Sequence, residues 1–159
     1  MAEHMEIERK FLVEKLPEGY ESRFPSHIIE QGYLCIEPVV RIRRQDDKYF
    51  LTYKGQGLLA REEYNHPLSE SAYNTLRTKC EGELITKTRY KIPYGIFTIE
   101  MDIFEGQFSG LTLAEVEFDD EEEAKNFVVP EWFGDEVTYD PSYYNSNMSM
   151  RSIRGKEEK

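Results

Sequence analysis

Along most of this chain apolar and polar residues alternate one for one. That is the period of an extended strand, whose successive side chains point to opposite faces. Eight segments carry the pattern: about Met5–Val13, Gln31–Ile36, Val39–Gln45, Tyr49–Lys54, Ala60–Leu68, Leu84–Ile92, Ile96–Phe104 and Leu111–Phe118. Turn-forming residues separate them, among them Pro38, Asp46-Asp47-Lys48, Gly55-Gln56-Gly57 and Pro93-Tyr94-Gly95. Three stretches read as helix. Ser69 caps the first, over about Glu70–Glu81, with Ala72, Tyr73, Leu76 and Cys80 at helical spacing and Gly82 as the stop. Asp119 or Asp120 caps the second, which carries Glu121-Glu122-Glu123 in its first turn and runs to about Val129 before Pro130. Asp140-Pro141 opens the third, to about Ile153. Residues 14–28 read as a loop with one short helical turn.

The polar faces of these strands are unusual. Glu6, Glu8 and Lys10 share a face, as do Arg41 and Arg43, Lys87 and Arg89, Glu100 and Asp102, and Glu115 and Glu117. Lys54 and the pair Arg61 and Glu63 extend the set. Two arrangements satisfy the pattern: a sheet with one wet side, or a closed barrel with the ionic faces inside and helices outside. The signs cluster by strand, whereas a solubilising surface intersperses them. Paired arginines also suit oxyanion recognition. Both features favour a closed eight-stranded β-barrel with a charged lumen, whose interior holds about one small ligand.

Composition narrows the class. The 159 residues fit a single domain, 1–159, with an ordered core over about 5–153. A net charge of −11 argues against a general nucleic-acid binder, but leaves room for a basic pocket. Cys35 and Cys80 form no C-x-x-C pair and read as reduced thiols. The absence of an apolar signal region or a membrane-length apolar run predicts a cytoplasmic protein without a membrane partner. His4, His27 and His66 sit at a terminus, in a loop and at a strand end, and carry no assigned chemistry.

Cation pairs facing carboxylate pairs suit a polyanion that arrives with a divalent ion. Lysines and arginines bind phosphates; carboxylates hold a metal that bridges to phosphate oxygens. Oxygen donors point to Mg²⁺ or Mn²⁺, and no His/Cys cluster suggests zinc. Tyr33 shares a face with Gln31, so it either packs in the core or points inward.

The segment Glu6-Ile7-Glu8-Arg9-Lys10 resembles the E-x-E-x-K signature of the CYTH superfamily, the triphosphate tunnel metalloenzymes. Gln31-Gly32-Tyr33-Leu34, Arg41-Ile42-Arg43, Thr52-Tyr53-Lys54, Arg61-Glu62-Glu63-Tyr64, Lys87-Thr88-Arg89-Tyr90, Glu100-Met101-Asp102 and Glu115-Val116-Glu117-Phe118 follow in the family's order. The length is similar to that of the short bacterial branch, which contains inorganic triphosphatases. The resemblance implies an α+β fold built on a closed eight-stranded antiparallel β-barrel, and metal-dependent hydrolysis of a small-molecule triphosphate, inorganic tripolyphosphate, to pyrophosphate and phosphate. Lys10, Arg41, Arg43, Lys54, Lys87 and Arg89 would bind phosphates, with Arg61 a weaker candidate. Glu6, Glu8, Glu115, Glu117 and Asp102 would serve the metal, and Glu6, Glu8, Glu117 and Tyr33 the reaction. Tyr143 to Met150 would close one mouth, with Asn145 as a polar contact. Asn65 departs from relatives that carry an acid there. A nucleoside or thiamine triphosphatase, a class IV-type adenylyl cyclase and a non-catalytic polyphosphate-binding module remain the alternatives.

Overall fold

The computed structural model describes residues 5–150. Its strands are β1 (Met5–Val13), β2 (Ser26–Ile36), β3 (Val39–Gln45), β4 (Lys48–Lys54), β5 (Ala60–Leu68), β6 (Glu81–Tyr94), β7 (Phe97–Phe104), β8 (Thr112–Phe118) and β9 (Phe133–Glu136). The helices α1 (Tyr20–Arg23), α2 (Glu70–Arg77) and α3 (Glu121–Asn126) lie between them. All pairings are antiparallel, in the order β5-β4-β3-β2-β6-β7-β8-β1, and β5 pairs back onto β1 to close an eight-stranded barrel. The first half of β1 pairs with β5, through Glu6 opposite Arg61; the second half pairs with β9, through Phe11 opposite Glu136. Closure leaves no exposed edge along the ring.

Strand alternation then sorts the two faces. Ile7, Phe11, Ile99, Met101, Ala114, Val116 and Phe118 point outward and are buried in one cluster with Ala124 and Phe127. Phe127 sits among Phe118, Tyr94, Phe97, Phe133 and Phe11, with ring centroids 5.3–6.5 Å away. This explains why α3 stops at Asn126 instead of reaching Val129. Its C-cap, Phe127, turns extended and enters the aromatic cluster. The helix start is as expected: Asp120 accepts from Glu123 N, and the Glu123 carboxylate accepts from Asp119 N.

Other boundaries also move. β2 begins at Ser26, inside the stretch read as loop, because Ser26–Glu30 ladder with β6 as far as Tyr90. α2 is capped by Ser69 but ends at Arg77, since the chain from Glu81 is taken into β6, opposite Tyr33. β9 is unanticipated: four residues carry too little alternation to be read. The ion pair Arg9–Glu136 at 2.7 Å ties it to the outer face of β1. The expected third helix is broken. Pro141–Tyr143 forms a 3₁₀ turn capped by Asp140, and residues 145–150 are helical. Its expected continuation to Ile153 lies outside the described residues.

Inward parity is not charged throughout. Tyr33, Ile85, Phe104 and Leu113 have it, and they pack with Val39, Val137 and Met148 to fill one end of the barrel with apolar side chains. The ionic stripes occupy the remaining length. No described helix is long and apolar enough to cross a membrane, and Cys35 and Cys80 are free thiols.

Candidate active site

The ionic stripes converge on one cavity of about 210 Å³. Six cations line it: Lys10, Arg41, Arg43, Lys54, Arg61 and Arg89. Six carboxylates face them: Glu6, Glu8, Glu63, Glu100, Glu115 and Glu117. A charge-balanced wall inside a chain of net charge −11 concentrates positive charge where a small anion could meet it.

The two signs are not evenly paired. Around the middle they match. Lys54 Nζ donates to both Glu6 oxygens at 3.0 and 3.2 Å and lies 3.3 Å from Glu63. Arg61 lies 3.6 Å from Glu6, and Lys10 3.4 Å from Glu115. Glu6 and Glu63 meet around Lys54 and shift each other in opposite directions. Burial and the neighbouring Glu8 push Glu6 up to about 9. Glu63 is held down at about 2: burial opposes its charge, but Glu6 and the field of Lys54 outweigh it. Glu115 is held well below the usual carboxylate range because Lys10, Arg89 and Lys87 overcome its burial.

At one side the carboxylates are in excess. Glu8 stands opposite Glu117 in the β1–β8 ladder, and neither forms an ion pair with a described residue. Burial, then Glu115, raises the Glu8 carboxyl. Burial, then Glu63, Glu8 and Glu100, raises Glu117 to about 7.

At the other side the cations are in excess. Arg41 has only a 3.4 Å hydrogen bond to Thr52 Oγ1, and its buried Nε has no partner among the described residues. Arg43 donates from Nε and Nη2 to Gln31 Oε1 at 3.0 and 2.7 Å and meets no carboxylate among the described residues. Burial, then Arg41 and Arg89, pushes Arg43 down to about 9. These are the marks of cations assembled ahead of an anion.

Two expected site residues stand behind this lining. Lys87 is fully buried, with Nζ 2.8 Å from Asp102 Oδ2 and 5.3 Å from the Phe104 ring. Burial pushes Lys87 down to about 7. Asp102 also accepts from Arg89 Nε at 2.7 Å and Nη2 at 2.9 Å, so both its oxygens are occupied by cations. Arg89 reaches the cavity itself and pairs with Glu100 at 3.1 Å.

Three residues that the sequence named without assigning a contact take definite places here. Gln31 is completely buried beside the cavity and joins Arg43 to Tyr33. Tyr144 lies at one mouth, its ring 5.7 Å from Lys10 Nζ and 5.6 Å from the Arg61 guanidinium. Asn65, in place of an acid, accepts from Thr52 Oγ1 at 2.5 Å and donates to Glu63 at 2.9 Å. The strand parity of Gln31 was a usable signal; Tyr144 falls in the stretch expected to close a mouth, but its contacts depend on a break in the helix that the sequence did not show. Asn145 and Ser146 complete this mouth.

The donor set fits a hard cation in chemistry, since carboxylate oxygens are what Mg²⁺ and Mn²⁺ take. Among the described residues no three His, Cys, Asp or Glu side chains stand together as a ready-made ligand group. That is compatible with Mg²⁺, which uses one or two carboxylates plus substrate phosphates and water rather than an all-protein cage.

The comparisons with known proteins agree with this geometry. Residues 4–144 match the model of the CYTH domain. The inorganic triphosphatase of Nitrosomonas europaea is 41% identical over 150 residues, covering 91% of this chain and 97% of that protein. The inorganic triphosphatase of Acetivibrio thermocellus is 40% identical over 158 residues, covering 96% and 98%. A crystal structure of an inorganic triphosphatase superposes with a TM-score of 0.68 at 36% identity, over 91% of this chain and 94% of that one. With the barrel, the ordered motifs and these matches in place, this chain belongs to the CYTH domain family.

Proposed function

We propose that this chain hydrolyses inorganic tripolyphosphate to pyrophosphate and phosphate inside the barrel, with Mg²⁺ or Mn²⁺ as cofactor. The observation that carries the reading is the polarity of the cavity: unpaired Arg41 and Arg43 at one side, unpaired Glu8 and Glu117 at the other. A phosphate chain satisfies the first group and repels the second unless a cation lies between. Bound there, the divalent ion neutralises phosphate oxygens and makes water a stronger nucleophile. Glu8 and Glu117 would hold it, joined by Glu6 once its proton leaves.

The chain's own residues supply the rest. Arg41 and Arg43 grip the phosphates, and Arg89 and Lys10 line the same cavity. Their charge stabilises the oxygens of the transferring group and the leaving pyrophosphate. The water oxygen bonds to the terminal phosphorus as one of its protons passes to a cavity carboxylate and on to solvent, and the bridging P–O bond breaks with its electron pair going to pyrophosphate. Glu115 and Asp102 keep Lys10, Lys87 and Arg89 charged and in place. The activity carried by the names of the two relatives supports the same substrate. The free thiols fit a reducing cytoplasm.

The test is to incubate the protein with tripolyphosphate, ATP and thiamine triphosphate, with and without Mg²⁺ or Mn²⁺. Metal-dependent phosphate release from tripolyphosphate well above that from ATP is expected. Cyclic AMP formation from ATP, or tripolyphosphate binding without turnover, would overturn the reading.

A further inference from the structure

Gln31 does not line the cavity, yet it is the link between two groups that do. Its Oε1 receives Nε and Nη2 of Arg43 at 3.0 and 2.7 Å, and its Nε2 stands 2.9 Å from Tyr33 Oη. Gln31 is 0% exposed and Tyr33 2%. The orientation of the amide is dictated by chemistry. A guanidinium only donates, so the oxygen of Gln31 must face Arg43 and its NH₂ must face Tyr33. Tyr33 Oη therefore accepts from Gln31, and its own hydrogen cannot be used in that direction.

The backbone is built to hold this pair. The β2–β6 register shifts between Gln31 and Tyr33, and the intervening Gly32 lies against α2's exit and β6. A Cβ there would come within 2.7 Å of Cys80 Sγ and Leu84 Cδ2. Any other residue at 32 would have to displace the Cys80 and Leu84 side chains that pack against this turn of the strand.

We infer that Gln31 is a positioning residue that fixes the polarity of an Arg43→Gln31→Tyr33 hydrogen-bond chain, so that the Tyr33 hydroxyl donates into the cavity toward a phosphate oxygen of the bound substrate. Every bond in the chain runs the same way. The Arg43 charge polarises the amide, which in turn makes Tyr33 a better donor. This rests on the triphosphatase reading, because the acceptor is a phosphate oxygen.

The test compares Gln31→Glu, Gln31→Leu, Tyr33→Phe and the double variant Gln31→Glu/Tyr33→Phe on tripolyphosphate. Glutamate keeps the acceptor for Arg43 but turns the bond to Tyr33 around, drawing the hydroxyl hydrogen away from the cavity. Gln31→Glu should lower kcat by roughly 10- to 100-fold, the rate equivalent of one hydrogen bond to a charged group, and the carboxylate placed against Arg43 should raise KM as well. Gln31→Leu, which also releases Arg43, should raise KM in addition. Tyr33→Phe keeps the ring and should match Gln31→Glu in kcat, and the double variant should be no slower than either. Wild-type kcat in Gln31→Glu or in Tyr33→Phe overturns the inference, as does a double variant whose loss is the product of the two. An unfolded Gln31→Glu leaves Tyr33→Phe and Gln31→Leu to decide: wild-type kcat in the first, or an unchanged KM in the second, overturns it. Wild-type protein that releases no phosphate from tripolyphosphate overturns the triphosphatase reading itself, and this inference falls with it.

Discussion

Glu8 and Glu117 face each other directly across the β1–β8 ladder, and a like-charged pair in register weakens an antiparallel sheet. No described cation pairs with either at short range, and Glu117 is displaced to about 7. The arrangement is unfavourable for the empty barrel and favourable for one that holds a divalent ion. Glu117→Gln should therefore abolish metal-dependent phosphate release while leaving the fold intact. Because Glu117 is partly open to solvent, the relief should stay under about 1 kcal/mol, a Tm rise of up to ~3 °C. Full phosphate release in this variant would remove Glu117 from the site; a marked fall in Tm would mean that its charge is structural.

The raised carboxyls set the pH dependence of the empty protein. A carboxyl whose folded pKa lies above its unfolded value binds a proton more tightly when folded, so its contribution to stability falls as pH rises between the two values. For Glu117 that window runs from about 4.5 to about 7, and for Glu6 from about 4.5 to about 9. Lys87, depressed to about 7, acts oppositely: it adds stability as pH rises from about 7 toward 10.5. Below about 4.5, protonation of Glu63, held at about 2, removes stability. The metal-free Tm should therefore peak near pH 5, decline toward pH 7 and flatten above it. Mg²⁺, which competes with protons for these carboxylates, should raise Tm more at pH 8 than at pH 5. Scanning calorimetry across pH with and without Mg²⁺ measures both; equal Mg²⁺ shifts at the two pH values would contradict the assignment of Glu6, Glu8 and Glu117.

Period-two alternation with sign clustering made the barrel legible, because one residue of slip would turn Glu6, Glu8 and Lys10 outward and expose Ile7 and Phe11. The site was legible for the same reason: the cavity wall is strand parity made solid. What the sequence did not reveal depends on contacts between distant segments. α3 stops where Phe127 finds five aromatic rings supplied by β1, β6, β7, β8 and β9. β9 exists because Arg9 has a partner in Glu136. Asp102 and Lys87 share the parity of the cavity residues, yet they lie behind the lining, where Ile85, Phe104 and Leu113 begin to fill the lumen. Parity gives the face but not the depth along the barrel axis.

Asp102 neutralises two buried cations at once, Lys87 at 2.8 Å and Arg89 at 2.7 Å. Asp102→Asn would leave both without their main counter-charge in a site closed to water. Breaking a buried pair in this way costs about 3–5 kcal/mol, a fall in Tm of roughly 10 °C. Tripolyphosphate, by binding the folded state, should recover part of that loss. A variant with wild-type Tm would show that the cations are compensated elsewhere.

Arg41 and Arg43 offer the opposite test, because neither is engaged by a carboxylate among the described residues. Removing either charge deletes no ion pair from the empty protein and relieves repulsion between two neighbouring cations, the effect that pushes Arg43 down. Arg41→Gln should therefore leave Tm within about 2 °C of wild type, and Arg43→Gln, which gives up two bonds to Gln31, within about 4 °C, since reduced repulsion offsets part of the lost charge-assisted bonding. Their cost should appear only with the substrate. Each arginine forms charge-assisted bonds to phosphate oxygens, worth about 1.5–3 kcal/mol, so the apparent affinity for tripolyphosphate should fall roughly 10- to 100-fold per variant. Titration calorimetry in EDTA isolates this binding from metal and turnover. A large loss of Tm with unchanged tripolyphosphate affinity would make these arginines parts of the scaffold and would move the phosphate site away from the cation-rich wall.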